Sequence, residues 1–224
     1  MDQSGQNPSN GRPVVVGVAD HNGWAILVSA AAVNGEPTVV DRRRVRLIEK
    51  GVPNQPYHHE TLALTDAEAE QLLRKVKRSI AACTTLAFDG LAADLWPQYR
   101  VSSITIRQPP LAHLPATVGE VHRSYHALCR ADGMLYHSAI CEAARQRDWT
   151  LVLHRRGEEL AKAAEAVQTS TREVERFMND LRQTLKPPWT AEHRSAFAAA
   201  IGSLRNQSRL RVPRTEPTAN GEAG

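Results

Sequence analysis

Apolar residues in the first fifty positions fall into three runs separated by turn signals. Pro13–Asp20 is β-branched and apolar on both faces, which predicts a central strand. After the polar turn at His21–Gly23, Trp24–Val33 predicts a second strand. Asn34-Gly35 is a strong hairpin signal, and Thr38–Ile48 follows it as a third strand. The pattern therefore predicts an antiparallel three-strand meander.

The apolar spacing becomes helical after residue 65. Thr65 and Glu68 form a capping box, and the helix that they open is expected to end near Ala82. Further short apolar runs predict strands at Thr84–Asp89, Val101–Arg107 and Thr150–His154, and helices are predicted over about 117–147, 158–168, 170–185 and 190–204. This order predicts an α/β fold with a mixed sheet, in which parallel strands follow the meander and helices cover both faces.

Composition adds the expectation of one domain between two polar ends. The chain has 224 residues, of which 42% are hydrophobic and 23% charged, which is enough to bury a core. We expect a single domain over 13–205, with disordered tails at 1–12 and 206–224, the second of them basic.

The sequence also bears on the compartment. The N-terminus lacks the apolar core of a signal peptide, and the longest apolar stretch is too short to span a bilayer. The three cysteines are widely spaced, with no CxxC pair, which supports neither a zinc ribbon nor a disulfide scaffold. These features predict a cytoplasmic protein with free thiols and no membrane partner.

Two acids fall at the ends of predicted strands. Asp20 ends the first strand, and Asp89 ends the strand predicted at Thr84–Asp89. If those strands are parallel neighbours, both carboxylates emerge at the same edge of the sheet. Convergent carboxylates suit Mg²⁺ or Mn²⁺, and two such ions can assist displacement at a phosphodiester. The alternative is ordinary turn chemistry, because Asp is common where strands end.

This order of elements resembles the ribonuclease H-like fold, and more narrowly the RuvC-like resolvases. Val16–Gly23 looks like the family's opening strand with its metal-binding Asp, although His21-Asn22 replaces the usual Pro-Gly. Leu86–Asp89 looks like its second acidic strand end. Ser170–Leu185 and Thr190–Ile201 are similar to its last two helices. Residues of about 90–131 have no match and are expected to form an insertion.

The resemblance implies metal-dependent hydrolysis of a phosphodiester in structured DNA or RNA, often by a homodimer. It implies that Asp20, Asp89 and Glu192 hold Mg²⁺ or Mn²⁺, with His193 as a substitute ligand or general base. The family's second acid on the last helix matches Ser195, which is a departure. Glu192 is also explained as a first-turn acid favoured by the helix dipole, and His193 as an inward-packing residue.

The loop before the first helix carries an unusual cluster, Tyr57-His58-His59-Glu60. Its spacing is not that of a zincin helix, but it can supply a metal ligand or a proton-transfer group. In ribonuclease H-like enzymes the first helix can contribute a glutamate to the metal site. The resemblance therefore makes Glu60 a candidate ligand and His59 a candidate catalytic residue. The alternative is a polar loop with histidines in solvent.

Basic residues supply a candidate nucleic-acid surface. The formal net charge is +4, and Arg42, Arg44 and Arg46 share one face of the third strand by period-two spacing. The alternative is a solvated strand edge, which charges protect from aggregation. Aromatic residues make up only 5%, and none alternates with these arginines, which argues against a stacking platform.

Three functions are compatible with the sequence. The first is a RuvC-like metal-dependent nuclease. The second is a catalytically inactive ribonuclease H-like module that binds nucleic acid or protein, which Ser195 favours. The third is a small-molecule hydrolase that uses the histidines of Tyr57–Glu60.

Overall fold

Three strands form the expected meander in the computed structural model, which describes residues 11–109, 114–115, 117–204 and 210–212. They are β1 (Arg12–His21), β2 (Trp24–Val33) and β3 (Glu36–Arg46). Both neighbouring pairs are antiparallel. The hairpin between β2 and β3 turns at Asn34 and Gly35, whose φ angles of 53° and 80° are those of a type I′ turn.

Two parallel strands extend the sheet on the other side of β1. β4 (Tyr99–Arg107) lies next to β1, and β5 (Thr150–His154) lies next to β4. The order across the sheet is β3-β2-β1-β4-β5. The predicted ribonuclease H-like arrangement, an α/β fold with a meander followed by parallel strands, is confirmed.

Helices cover both faces of the sheet. They are α1 (Asp66–Leu95), α2 (Val118–Val121), α3 (Tyr125–Arg145), α4 (Glu159–Ala166), α5 (Thr171–Thr184) and α6 (Ala191–Ser203), with a 3-10 helix at Glu60–Ala63. The capping boxes expected at Thr65 and Ser170 are present at the starts of α1 and α5. No helix in the described ranges is both long and apolar enough to cross a membrane.

Alternate residues of β1 divide the interior into two cores. Val14, Val16 and Val18 pack with residues of α1 and α3, while Val15 packs with residues of α4, α5 and α6. This division follows from the two-residue period of a strand, since successive side chains point to opposite faces. Because both faces are covered, β1 lies in the middle of the molecule.

The strand predicted at Thr84–Asp89 is wrong, because this segment lies inside α1. Its buried residues Thr84 and Phe88 continue the helical spacing, and the Thr84 hydroxyl donates to the carbonyl of Ile80 at 2.7 Å. No Gly or Pro interrupts the helix between Ala82 and Asp89. The parallel neighbour of β1 is therefore β4, and Asp89 does not end a strand.

The segment expected to be an insertion at about 90–131 contains β4, a strand inside the sheet. The predicted tails at 1–12 and 206–224 fall mostly outside the described residues. Of the second tail, Leu210 is buried and the amide of Arg211 donates to the carbonyl of Gly35 at 2.8 Å. These residues therefore belong to the packed structure beside the β2–β3 hairpin.

Helix α6 crosses β1 at a close approach that positions its first turn. A Cβ added at Gly17 would lie 1.8 Å from the carbonyl oxygen of Ala196. Only glycine allows the two backbones to come so near. The contact sets the first turn of α6 beside the carboxyl end of β1.

Candidate functional site

A crevice of about 380 Å³ opens at the carboxyl ends of β1, β4 and β5. Ligands commonly bind at this edge of α/β sheets. The first turns of α4 and α6 close its other sides. The residues that line the crevice are Val18, Ala19, Asp20, His21, Arg107, His154, Arg156, Glu159, Ala191, Glu192 and Ser195.

Two of the predicted acids line this crevice. Asp20 lies at the end of β1, and Glu192 is the second residue of α6. The hydroxyl of Thr190 donates to Oε2 of Glu192 at 2.7 Å, and this bond lowers the pKa of Glu192 below its usual value. Glu192 is therefore ionised at neutral pH, and it also serves as a first-turn acid.

Asp89 lies elsewhere, on the exposed side of α1. Its Oδ1 accepts from Nε of Arg147 at 3.1 Å, and 61% of its side chain is exposed. Arg147 also donates to the carbonyls of Ala143 and Thr85. The Asp89–Arg147 pair therefore links α1 to the end of α3, which is a structural role, and the expectation that Asp89 meets Asp20 at a sheet edge fails.

Arg107 takes the place that the second acid was expected to hold. It is the last residue of β4, the strand parallel and adjacent to β1. Nε2 of His137 donates to its backbone carbonyl at 3.0 Å, and its side chain is 48% exposed, with Nη2 3.9 Å from Oε1 of Glu159. Arg107 is not among the predicted site residues, because the neighbour of β1 was expected at residues 84–89.

A buried pair forms the floor of the crevice near β5. Nε2 of His154 lies 3.2 Å from Oε1 of Glu159, and its Nδ1 lies 3.3 Å from the hydroxyl of Thr105. Burial lowers the pKa of His154, and the Glu159 carboxylate opposes this effect. A neutral His154 that donates from Nε2 to Glu159 and accepts at Nδ1 from Thr105 satisfies all three side chains.

His193 is buried at 4% exposure and does not line the crevice in the described structure. Its Nδ1 accepts from the amide of Thr190 at 3.3 Å, and its ring packs near Trp189. Burial is the main cause of the lowered pKa of His193. The inward-packing alternative therefore describes this residue, which closes the cap of α6.

His59 and Glu60 are exposed, and neither lines the crevice within the part of the chain that the structure describes. Glu60 begins the 3-10 helix. His58, the residue before His59, has its Nδ1 2.7 Å from Oδ2 of the buried Asp132. The unusual loop is thus ordered around α3, away from the crevice.

The donor set does not fit the divalent cation that the resemblance implied. Of the predicted ligands Asp20, Asp89, Glu192 and Glu60, only Asp20 and Glu192 share the crevice, and Arg107 lines it with them. No group of three or more His, Cys, Asp or Glu side chains in the described ranges is arranged to hold a metal ion. We therefore assign no step of a reaction to a metal here.

The arginines of β3 divide into structural and exposed residues. Arg42 donates to the carbonyls of Pro188 at 2.6 Å and of Lys186, so its side chain anchors the segment before α6. Arg44 and Arg46 are exposed. The three residues share one face of the strand as expected, but Arg42 is engaged within the protein.

An aromatic residue of the neighbouring strand β2 accompanies these arginines, although none alternates with them along β3. The guanidinium of Arg44 lies 4.2 Å from the ring centroid of Trp24, and Trp24 stacks on His21 at 3.9 Å with an interplanar angle of 11°. We call Arg44, Trp24 and His21 the stacked strip. Because His21 also lines the crevice, the strip leads directly into it.

Comparisons with known proteins find similar chains among solved structures. No family model matches this sequence, and no curated protein matches it. The solved structures to which the chain is similar include Thermus thermophilus RuvC, with a TM-score of 0.48, and T. thermophilus RuvC in complex with a Holliday junction substrate, with a TM-score of 0.49. In both cases the sequence identity is 11%, and the alignment covers 86% of this chain and 93% of the other.

Proposed function

We propose that this protein is a ribonuclease H-like module that binds nucleic acid along the stacked strip and the crevice, without metal-dependent cleavage. The observation that carries the proposal is Arg107, a guanidinium at the strand end beside Asp20. An arginine in place of a carboxylate changes the local charge by two units. The same position then favours an anion and disfavours a divalent cation.

The crevice offers donors that suit a phosphate. Arg107 and Arg156 both line it, and a guanidinium presents N–H groups in a fork that matches phosphate oxygens. Arg107 is about half exposed, so part of its fork faces solvent. In this proposal the two arginines contact the nucleic-acid backbone at the rim of the crevice.

The stacked strip offers a surface for an unpaired base. Trp24 stacks on His21 and lies under the guanidinium of Arg44, so a base would stack on the outer side of His21 or of that guanidinium, and such stacking contributes ~1–3 kcal/mol per base. Arg46 lies opposite Trp24 in the β2–β3 pairing and adds a further exposed cation. The strip therefore favours nucleic acid with unpaired bases, such as a single strand, over continuous duplex.

Fluorescence anisotropy with labelled four-way junction, duplex and single-stranded DNA tests the binding. The test variant is Arg44→Gln/Arg46→Gln, and the matched control is Arg74→Gln/Arg78→Gln, which removes the same charge from exposed positions of α1. Between about 50 and 200 mM salt, the test variant should lower the slope of log K against log salt by about 2. The control should change the slope by less than about 0.5, because its side chains make no phosphate contact in this proposal.

Incubation with the same DNAs and Mg²⁺ or Mn²⁺ tests the absence of cleavage. Asp20→Asn should bind as tightly as the unmodified protein or slightly more tightly, because a negative charge is removed near the phosphates. Cleavage that disappears in Asp20→Asn would establish the nuclease instead. Failure to bind any of the three DNAs at about 50 mM salt would refute the binding function.

A further inference from the structure

A thiol, an imidazole and a buried carboxylate contact one another in turn, and the thiol lines a cavity that Arg107 also lines. Sγ of Cys129 lies 3.3 Å from Nε2 of His58, and Nδ1 of His58 lies 2.7 Å from Oδ2 of Asp132. A nucleophile is activated by a base within hydrogen-bond reach, and a third group orients that base. Nothing in the proposed nucleic-acid function uses these residues.

Helix α3 and the loop before α1 build this arrangement. Cys129 and Asp132 are three residues apart on α3 and so lie on the same face. Asp132 also accepts hydrogen bonds from the backbone amides of Tyr57 at 3.0 Å and His58 at 3.2 Å, and these bonds fix the loop to the helix. The hydroxyl of Thr61 donates to the carbonyl of Pro56 at 3.0 Å and closes the loop.

The hydrogen bonds set the tautomer of His58. The carboxylate of Asp132 accepts from Nδ1–H, which leaves Nε2 of His58 as the acceptor that faces the Cys129 thiol. Burial raises the pKa of Asp132, and its hydrogen bonds from His58 and the loop amides oppose this rise. The His58 side chain is 15% exposed and that of Asp132 is fully buried, while Cys129 is exposed. Access therefore increases from the orienting group to the nucleophile.

Other polar and titratable groups face this line from neighbouring positions. Tyr125 hydrogen-bonds Cys129, and its ring meets the His58 ring edge-on at 5.4 Å. The His59 ring lies 6.1 Å from that of His58. His126 and Arg130 line the same cavity as Cys129. Tyr125 can donate a hydrogen bond to the sulfur.

A cavity of about 360 Å³ adjoins the thiol, and this volume suits a small organic substrate. Pro109, Gly133 and Met134 supply apolar lining, Arg107 and Gln108 supply donors, and Asp20 adds one acid. A short acyl chain fits the apolar lining, and the carbonyl oxygen of an uncharged substrate fits the donors. The cavity therefore favours a small carboxylic ester or thioester.

We propose that Cys129 is the nucleophile of an acyl-transfer site for small carboxylic esters or thioesters, with His58 as its general base and Asp132 as a positioning residue. The sulfur forms a bond to the carbonyl carbon while His58 takes the thiol proton. The bond to the leaving oxygen or sulfur then breaks, and His58 returns the proton to the leaving group. Water next attacks the acyl-enzyme thioester with His58 as base, which releases the carboxylic acid and restores the thiol with no change of oxidation state.

Acylation by p-nitrophenyl acetate tests the proposal. Release of p-nitrophenol is followed over time, and the acetylated cysteine is located by mass spectrometry as a hydroxylamine-labile adduct. Cys83 and Cys141 serve as internal references. Cys129 should be acetylated faster than both, and His58→Gln should slow its acetylation by about 10²-fold or more. The matched variant His59→Gln replaces the exposed neighbour and should stay within about twofold of the unmodified protein, because a general base contributes far more than this.

The role of Asp132 is tested by the pH dependence of Cys129 alkylation by iodoacetamide. Asp132→Asn should move the midpoint of this profile to higher pH. The reason is that the amide neither orients His58 nor stabilises its cation as the carboxylate does. A merely structural role of Asp132 would leave the midpoint unchanged. If Asp132→Asn does not fold, His58→Gln still tests whether Cys129 acts with a general base. Acetylation of Cys129 no faster than that of Cys83, or an unchanged rate in His58→Gln, would overturn the proposal.

Discussion

The close contact of α6 with β1 makes Gly17→Ala a sharp test of the fold around the crevice. A Cβ at this position would lie 1.8 Å from the carbonyl oxygen of Ala196 and 2.6 Å from its carbonyl carbon. Both are backbone atoms, so no side-chain rotation relieves the clash. Helix α6 would have to retreat by about 1.6 Å to restore an ordinary 3.4 Å contact.

The expected cost follows from what that retreat exposes. Phe197 and Ile201 are fully buried between α6 and the sheet, so a shift of α6 opens gaps around them. Overpacking a well-packed core costs ~1–3 kcal/mol, and we expect about 3 kcal/mol here because the obstacle is rigid backbone. For a protein of this size, that loss lowers Tm by roughly 6–12 °C.

Thermal unfolding followed by circular dichroism measures the effect, with Gly90→Ala as the matched control. A Cβ at Gly90 meets nothing within 4 Å, and Gly90 lies on the exposed face of α1. Alanine there should raise the free energy of unfolding by about 0.8–1 kcal/mol, because glycine is a poor helix former. A Gly17→Ala protein with an unchanged Tm would show that α6 does not pack against β1 at this distance.

Three further predictions concern single interactions. Asp89→Asn should lower the free energy of unfolding by no more than about 1 kcal/mol in urea titrations, and nucleic-acid binding should stay unchanged, because the Asp89 side chain is exposed and Arg147 keeps its bonds to the carbonyls of Ala143 and Thr85; lost binding would contradict this assignment. Burial lowers the pKa of His154, so the unfolded chain takes up a proton near pH ~6.5 that the folded chain does not, and stability should fall as the pH drops below that value. His154→Gln should flatten this fall by up to ~1.4 kcal/mol per pH unit in urea titrations between pH ~7.5 and ~5.5, and an identical slope would refute it. Arg107→Glu/Ser195→Asp should bind Mn²⁺ more tightly than the unmodified protein, as measured by calorimetry, because it adds two acids to the crevice; equal affinity in the two proteins would mean that the added carboxylates do not converge.

The elements that the sequence specified are those with local physical causes. The meander follows from period-two apolar runs and from the Asn34-Gly35 turn, whose positive φ angles only a few residue types adopt readily. The starts of α1 and α5 follow from capping boxes that lie within four residues of the chain. Asp20 and Glu192 line one crevice. The resemblance to the ribonuclease H-like fold had implied that these two residues lie near each other.

One error had a signal that the sequence did contain. Thr84–Asp89 looks like a short buried strand when it is viewed alone, but Thr84, Phe88 and Leu91 continue the buried stripe of α1. A short apolar run does not distinguish a strand from a buried helix segment, and here the absence of a helix breaker decides it. With that segment in α1, the neighbour of β1 became β4, and Arg107 replaced Asp89 at the edge of the crevice.

The remaining features depend on contacts between residues far apart in sequence, so only the tertiary structure decided them. Trp24 meets Arg44 because β2 and β3 pair side by side, although the two residues never alternate along the chain. His58 meets Cys129 because Asp132 draws the loop onto α3, at a separation of 71 positions. Local propensity sets which elements form, whereas strand pairing and helix packing set which side chains meet, and the chemistry of this protein depends on the second.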